Sequence, residues 1–297
     1  MEFQLKERHP IISIFVGAYC AIIGIIIAWI LFPSNTGIVS VFFASLAMLP
    51  FLKRMLPLES VFNKKKKQIK FTDVFGYFKK FLNFHKLTKE YKQVLEVYIF
   101  LFLGVFLVFT IFQMNLPEPY AQSFFTEQTN ILHGATDLSF FGNAERPFMS
   151  PSISLETFYA IIANNMVVLL VSFVIAIVYR AGIFIIAWNA SVWGVIFGSA
   201  VTESSKLLGQ NAWMLFALSV IIIIPHMIAE AFAYICGVVA GSSIYITLWN
   251  NLKEKQNSII TTDAIRFLIL AAIFIILGSL IEVYFAFPAI KLVLWAN

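Results

Sequence analysis

Charged residues are scarce in this chain, at 12% of 297 residues, against about 25% in a typical soluble domain. Hydrophobic residues make up 60% of the sequence. So few polar groups cannot cover a water-facing surface, which excludes a soluble enzyme and a disordered protein. Cysteine is also rare: Cys20 and Cys236 lie inside apolar runs and form no CxxC pair. This excludes a secreted disulfide scaffold, and a multi-pass membrane protein remains.

Catalytic and cofactor-binding motifs are missing as well. The sequence contains no HExxH pair, and no nucleophile motif, P-loop or dinucleotide fingerprint stands in a suitable context. We therefore expect no catalytic residues, no metal site and no cofactor. An intramembrane enzyme remains an alternative, because catalytic residues can be scattered along a chain without forming a sequence motif.

Long apolar runs are what the sequence does contain. About 20 apolar residues in a helix cross the hydrocarbon core, and the sequence predicts an all-α transmembrane bundle of about seven spans at 11–32, 37–52, 93–114, 156–178, 183–201, 213–248 and 264–286. The sixth run is too long for one crossing and contains Pro225, which removes a helical hydrogen bond. We expect a break there, giving a half-helix at 213–224 and a full span at 226–248.

Positive charge is concentrated between the second and third spans. Residues 53–92 hold twelve basic and three acidic residues, a net charge of +9, while the rest of the chain nets −4. Such a loop is typical of the cytoplasmic side, beside anionic lipid; nucleic-acid binding is the alternative and is not expected between two spans. This orientation places the N-terminus inside and the C-terminus outside the cytoplasmic membrane. The first apolar run is too long for a signal peptide, so we interpret it as a retained span.

Three regions are predicted: a two-span hairpin at 1–52, the basic segment at 53–92, and a five-span membrane domain at 93–297 with an outer loop at 115–155. The basic segment has an apolar stripe at helical spacing, from Phe71 to His85. This stripe is typical of a helix lying in the membrane interface, or equally of a cytoplasmic helix packed on the bundle.

Five polar residues fall at membrane depth, and we call them the midplane polar cluster: Asn164, Asn165, Asn189, His226 and Glu230. His226 and Glu230 are four residues apart and share one helical face. They could pair as a structural knot, handle a proton or ion, or, with a third ligand, hold a metal. The amides could pack helices together or line a polar site. Glu282, near the outer end of the last span, is expected to reach the interface.

Two small-residue motifs accompany this cluster. Gly194 and Gly198 form one GxxxG spacing, and Gly237 and Gly241 form another. Because such spacings let helix backbones approach closely, we expect the fifth and sixth spans to pack on each other, within one bundle or across a homo-oligomer.

The second half of the chain resembles the stage II sporulation protein M family. The resemblance rests on the run from Phe158 to Asn165 (FYAIIANN), on Trp188-Asn189 with its two following glycines, and on the run from Pro225 to Gly241 (PHMIAEAFAYICGVVAG). It covers roughly residues 93–287. Two features depart from the family: Ala190 stands where the family often has glycine, and residues 1–92 have no recognised counterpart.

The resemblance implies an integral membrane protein that scaffolds envelope partners, because the named member of the family works with a peptidoglycan-degrading enzyme and another membrane protein. We therefore expect a non-enzymatic scaffold that binds an unidentified membrane or envelope protein. The alternative is a transporter or channel that uses Asn164, Asn165, His226 and Glu230 as a midplane site.

Overall fold

The computed structural model describes residues 10–56, 87–89, 91–117, 120, 123–132, 154–178, 182–254 and 262–294. The apolar stripe from Phe71 to His85 lies outside these residues, as do most of loop 115–155 and both chain ends. The three-region division, the orientation and the interfacial helix therefore stay predictions.

Within the described residues the chain is helical and contains no strand. The elements, in chain order, are α1 (Ile12–Leu31), α2 (Thr36–Met55), α3 (Lys92–Asn115), α4 (Thr126–Leu132), α5 (Leu155–Val178), α6 (Ile183–Leu208), α7 (Ala212–Glu254), α8 (Thr262–Ile281), a π-helical turn (Glu282–Ala286) and α9 (Phe287–Leu294). Seven segments are long and apolar enough to cross a membrane; the last runs from Asp263 through the π turn to Leu294. The predicted helical bundle of seven spans is confirmed.

Helix α6 forms the centre of the bundle. It packs along α3 and also contacts α2 and α7. Every residue from 185 to 198 is buried, including Trp188 and Phe197. A helix that is apolar on all sides is buried on all sides, and the sequence of this stretch meets that condition.

Two groups of helices flank α6. On one side, α1 packs against both α2 and α3; on the other, α7 packs against both α5 and α8. The outer faces of both groups are apolar: Phe15 is 72% exposed, Ile221 72% and Val178 75%. Exposing these side chains to water would cost a free energy of about 25 cal/mol for each Å² of apolar area, whereas lipid tails solvate them.

Pro225 does not break the sixth span, so the predicted division into two helices is wrong. Helix α7 is continuous over 43 residues with Pro225 inside it. Proline removes only the hydrogen bond to the carbonyl four residues earlier, and transmembrane helices tolerate this loss when neighbouring helices hold both sides. Here the next two residues, His226 and Met227, are buried in the bundle, so packing holds the helix together across the proline.

The two GxxxG motifs do pack closely, but not chiefly on each other. A Cβ atom on Gly194 would lie 2.8 Å from the Phe106 carbonyl oxygen in α3. A Cβ on Gly241 would meet the Phe173 carbonyl oxygen in α5. Each motif therefore serves a different helix pair, α6 with α3 and α7 with α5. A GxxxG spacing therefore predicts that another helix approaches closely, but it does not predict which helix.

Candidate functional site

One face of α7 carries three polar side chains at successive turns: His226, Glu230 and Tyr234. Residues four apart along a helix lie on the same face. Because the helix continues through Pro225, all three lie on one unbroken face of α7. They are 1%, 2% and 3% exposed, respectively. At this depth every buried polar group needs a partner within the protein.

Asn165 of α5 supplies two of these partners. Its amide nitrogen Nδ2 donates a hydrogen bond to Oε1 of Glu230 over 2.6 Å. Its amide oxygen Oδ1 accepts a hydrogen bond from the Tyr234 hydroxyl over 2.7 Å. Asn165 lies ten residues into α5, about 15 Å along the helix, which is about half the thickness of the hydrocarbon core.

Glu282 joins the same group, so its expected position at the interface is wrong. Its side chain is 3% exposed and its carboxyl group lies against the Glu230 carboxyl, close enough for the two to share a proton. Gly278, one turn earlier on α8, brings the two helices together: a Cβ there would lie 3.1 Å from Cγ of Glu230. We call Tyr234, Asn165, Glu230 and Glu282 the carboxyl network.

A π-helical turn places Glu282 in this network. The amide of Phe287 donates to the Glu282 carbonyl, five residues back instead of four. Pro288 follows at once. It has no amide hydrogen, and its ring crowds the carbonyl four residues earlier, which favours a widened turn at this point. Single π turns of this kind occur often at functional sites.

His226 does not pair with Glu230, contrary to one of the arrangements predicted for it. Both ring nitrogens, Nδ1 and Nε2, are buried without a hydrogen-bond partner among the described residues. The ring instead stands against Trp193 of α6, with ring centroids 5.4 Å apart and planes inclined by 61°. An imidazole has at least one N–H to donate, and leaving such a group unsatisfied costs about 1–3 kcal/mol.

The remaining two predicted members of the midplane polar cluster are Asn164 and Asn189. Asn164, beside Asn165 in sequence, is only half-buried because it points to a different side of α5. The Asn189 amide donates to the Ile185 carbonyl of its own helix over 2.8 Å. The structure thus brings together Asn165 and Glu230 from the prediction and adds Tyr234 and Glu282.

Two sequence signals pointed to the missed residues. Tyr234 is four residues after Glu230, on the face already singled out. Glu282 stands six residues before Pro288, so the proline disturbs the helix close to the glutamate. Neither signal identifies the contact between α7 and α8, because that contact joins residues 52 positions apart.

The hydrogen bonds of the carboxyl network all run toward Glu230. Tyr234 donates to Asn165, and Asn165 donates to Glu230. An ionised carboxylate only accepts hydrogen bonds, so the contact between the two carboxyls requires a proton on one of them. The Asn165 N–H stabilises the ionised form of Glu230, which favours Glu282 as the carboxyl that carries the proton. Among the described residues, no group of three or more His, Cys, Asp or Glu side chains is arranged to hold a metal ion.

Comparison of the sequence with known proteins identifies a family. No curated protein and no solved structure matches the chain. The model of the family described as stage II sporulation protein M matches residues 97–286. This range spans more than half of the chain and includes α5, α6, α7, α8 and all four residues of the carboxyl network. The protein is a multi-pass membrane protein that belongs to the stage II sporulation protein M family.

Proposed function

We propose that this protein is a non-enzymatic scaffold that organises membrane or envelope partners at the cytoplasmic membrane. The observation that carries this proposal is the closure of the polar site. Asn165, His226 and Glu230 are each no more than 4% exposed. A bundle whose polar groups are used to join its own helices is suited to holding a fixed shape, and it leaves partner binding to the loops.

Helix α4 supports the part played by loop 115–155. It packs against α2 and α6, and Phe125 just before it is fully buried against Phe109. The buried Gln128 amide donates to the Gly37 carbonyl over 3.2 Å. The first part of the loop is therefore fastened to the bundle, which suits a loop that presents the following residues, 133–153, to a partner.

The basic segment 53–92 supplies the second proposed contact. Its net charge of +9 suits anionic lipid at the cytoplasmic face, where each Lys or Arg near the surface contributes about 1 kcal/mol. This places the N-terminus inside and, after seven spans, the C-terminus outside. Homo-oligomers remain compatible with this arrangement, and nucleic acid is not proposed as a partner.

Cross-linking in cells, followed by purification in mild detergent, tests the scaffold. The full chain carries a C-terminal tag and is compared with two variants of equal expression. In one, a Gly/Ser linker of equal length replaces residues 133–153; in the control, Lys64 to Lys67 become glutamine. We expect defined partners with the full chain and the control, and none with the loop variant. If the full chain recovers nothing above background, the scaffold proposal fails.

A transporter or channel is the second candidate. The contact between the Glu230 and Glu282 carboxyls favours it, because ionisable groups deep in a membrane often lie on ion or proton pathways. In this case Asn165, His226 and Glu230 form a site that is closed in the described conformation and opens by movement of α8 against α7.

Flux measured in proteoliposomes separates the two candidates. For a transporter, Glu230→Gln abolishes flux while the amount of inserted protein stays unchanged. For a structural network, the same substitution lowers the amount of folded protein, and the flux per surviving molecule stays at the background of empty vesicles. Asn164→Gln is the matched control, since it keeps the amide at a position outside the carboxyl network.

A further inference from the structure

We infer that the carboxyl network binds one exchangeable proton, which is held between Glu230 and Glu282. His226 is the group that passes this proton on. Three observations carry this inference: two buried carboxyls side by side where α7 and α8 approach at Gly278, an amide N–H directed at Glu230, and a fully enclosed histidine one helical turn away with both nitrogens unpartnered. Proton binding is independent of whether the bundle also transports a solute.

The proton is required by the hydrogen-bond pattern. Two ionised carboxylates have no hydrogen to share and repel each other, by more in a low-dielectric interior than in water. A shared proton turns this repulsion into a hydrogen bond between an acid and a carboxylate, which is among the stronger kinds. The network then carries a single negative charge, stabilised by Asn165 and, through Asn165, by the Tyr234 hydroxyl.

None of the helices that form the carboxyl network places a lysine or arginine where it could neutralise the two carboxyls instead of a proton. Helix α5 and the apolar part of α7, 212–248, contain no lysine or arginine. In α8, Arg266 stands more than four turns before Glu282 and forms an ion pair with Asp263 over 3.2 Å. Helix α6 contacts His226 through Trp193, which does not titrate. The titratable groups tied to Glu230 are thus Glu282, at its carboxyl, and Tyr234, through Asn165; His226 lies one turn away on the same face of α7.

A metal cation fits the site less well than a proton does. The Asn165 amide presents its N–H, not its oxygen, to Glu230 at 2.6 Å, and an N–H donor repels a cation bound beside that carboxylate. The Asn165 oxygen is already used by Tyr234 over 2.7 Å. Sodium or potassium would need several free oxygen ligands. The carboxyl network has six side-chain oxygens, and these two hydrogen bonds already use two of them as acceptors.

His226 gives the proton a second position. It lies on the same face of α7 as Glu230, is 1% exposed, and has two nitrogens without partners. In the transfer, the O–H bond of the Glu282 carboxyl breaks and its electron pair stays on that oxygen. A new N–H bond forms on the imidazole, giving an imidazolium beside two carboxylates. The net charge of the cluster is unchanged, and the carboxyl hydrogen bond that joins α7 to α8 is lost.

Infrared spectroscopy of the purified protein in lipid tests for the proton. We expect the carbonyl band of a protonated carboxyl, which shifts in D₂O and shifts again when glutamate is labelled with ¹³C. The band disappears in Glu282→Gln, shifts in frequency in Glu230→Gln, and is unchanged in Glu156→Gln, an exposed glutamate at the end of α5. Absence of the band in the unmodified protein overturns the inference, whatever the variants do, and so does an unchanged band in both network variants.

Exchange of the proton tests the part played by His226. In His226→Phe the ring remains against Trp193 while both nitrogens are removed. We expect the band to remain and its shift on transfer to D₂O to slow by on the order of 100-fold. Phe267→Leu, a buried change near the inner end of α8, is the control for general loosening. An unchanged exchange rate in His226→Phe shows that the histidine does not pass the proton. A band that persists when K⁺ or Na⁺ replaces other salts confirms the proton; one that sodium removes identifies a cation site.

Discussion

The helices on the two sides of α6 are held together in different ways. On the side of α1, α2 and α3, the described side-chain hydroxyls bond mainly to their own helices, as Ser40 does to Gly37 and Ser45 to Val41. Close backbone approach at glycines joins these helices. On the side of α5, α7 and α8, a buried network of amide, phenol and carboxyl groups joins them in addition to glycine packing.

This contrast indicates which group of helices is the better candidate for function. Packing by glycine and alanine needs only shape, and many sequences can supply it. A buried carboxyl pair is costly in a membrane, and glycine contacts alone already suffice for the first group. The network lies within the matched family region, 97–286, whereas α1 and α2 precede it. The polar side is therefore the first place to test for function, whereas α1 and α2 lie outside the matched region.

The largest effect is expected from crowding the hairpin side. A Cβ on Gly104 of α3 would meet the Ile14 carbonyl oxygen and lie 2.8 Å from the amide nitrogen of Ala18, both backbone atoms of α1. Backbone cannot move aside as a side chain does, so Gly104→Leu must separate the helices, at a cost of about 3 kcal/mol. Thermal unfolding in detergent should show a marked drop in Tm. Ile26→Leu, on the exposed face of α1, should leave Tm unchanged; an equal drop in both would contradict packing by shape.

Removing Asn165 is the next largest change, now on the polar side. Asn165→Leu keeps the approximate size of the side chain but takes the donor from Glu230 and the acceptor from Tyr234. Buried groups left without partners cost about 1–3 kcal/mol. Thermal unfolding of the variant should show this loss, while Asn164→Leu, at the half-buried neighbouring position, should show clearly less. If the two variants unfold alike, the network does not stabilise the bundle.

A smaller effect is expected at Gly278. Its substitution by alanine places a methyl group 3.1 Å from Cγ of Glu230, and a flexible side chain must move by a few tenths of an ångström. We expect a cost of about 1 kcal/mol, and a shifted infrared carboxyl band because the distance between the carboxyls changes. Gly198→Ala is the control: it crowds Gln113 at 2.9 Å on the other side of α6. It should lower Tm without shifting the band.

Tyr234→Phe is expected to have the smallest effect. It removes one hydroxyl and leaves Glu230 with both Asn165 and Glu282. Interhelical hydrogen bonds in membranes contribute about 0.6 kcal/mol on average, so Tm should change only slightly. In the double variant with Asn165→Leu, the Tyr234→Phe change should cost almost nothing further, since its acceptor is already absent. Fully additive losses would show that the two residues act separately.

Much of the fold could be predicted because the bilayer imposes a simple requirement on sequence. A run of about 20 apolar residues is needed for each crossing, and all seven predicted runs are spans in the structure, with ends shifted by up to eight residues. The end of α6 at Leu208 and the extension of the last span to Leu294 were missed. Hydropathy predicts only the part of a helix that lies in the hydrocarbon core. A helix can continue beyond that core wherever its backbone hydrogen bonds are satisfied.

The break at Pro225 shows the opposite case. A local rule about proline predicted two helices, and the burial of the flanking residues, with His226 against Trp193 of α6, overrode it. The candidate site was only half predictable for the same reason. Asn165 and Glu230 attracted attention because amides and carboxyls are costly at membrane depth, but nothing in the local sequence tells which helix each faces.

Local composition was enough to predict the membrane class, the number and order of the spans, and the residues too polar to face lipid. Three features depend instead on how the helices pack: Glu282 turns inward to Glu230, His226 stands against Trp193 without a hydrogen-bond partner among the described residues, and each glycine motif contacts a particular helix. Those contacts join residues far apart in the chain, and their energies exist only once the helices have been brought together.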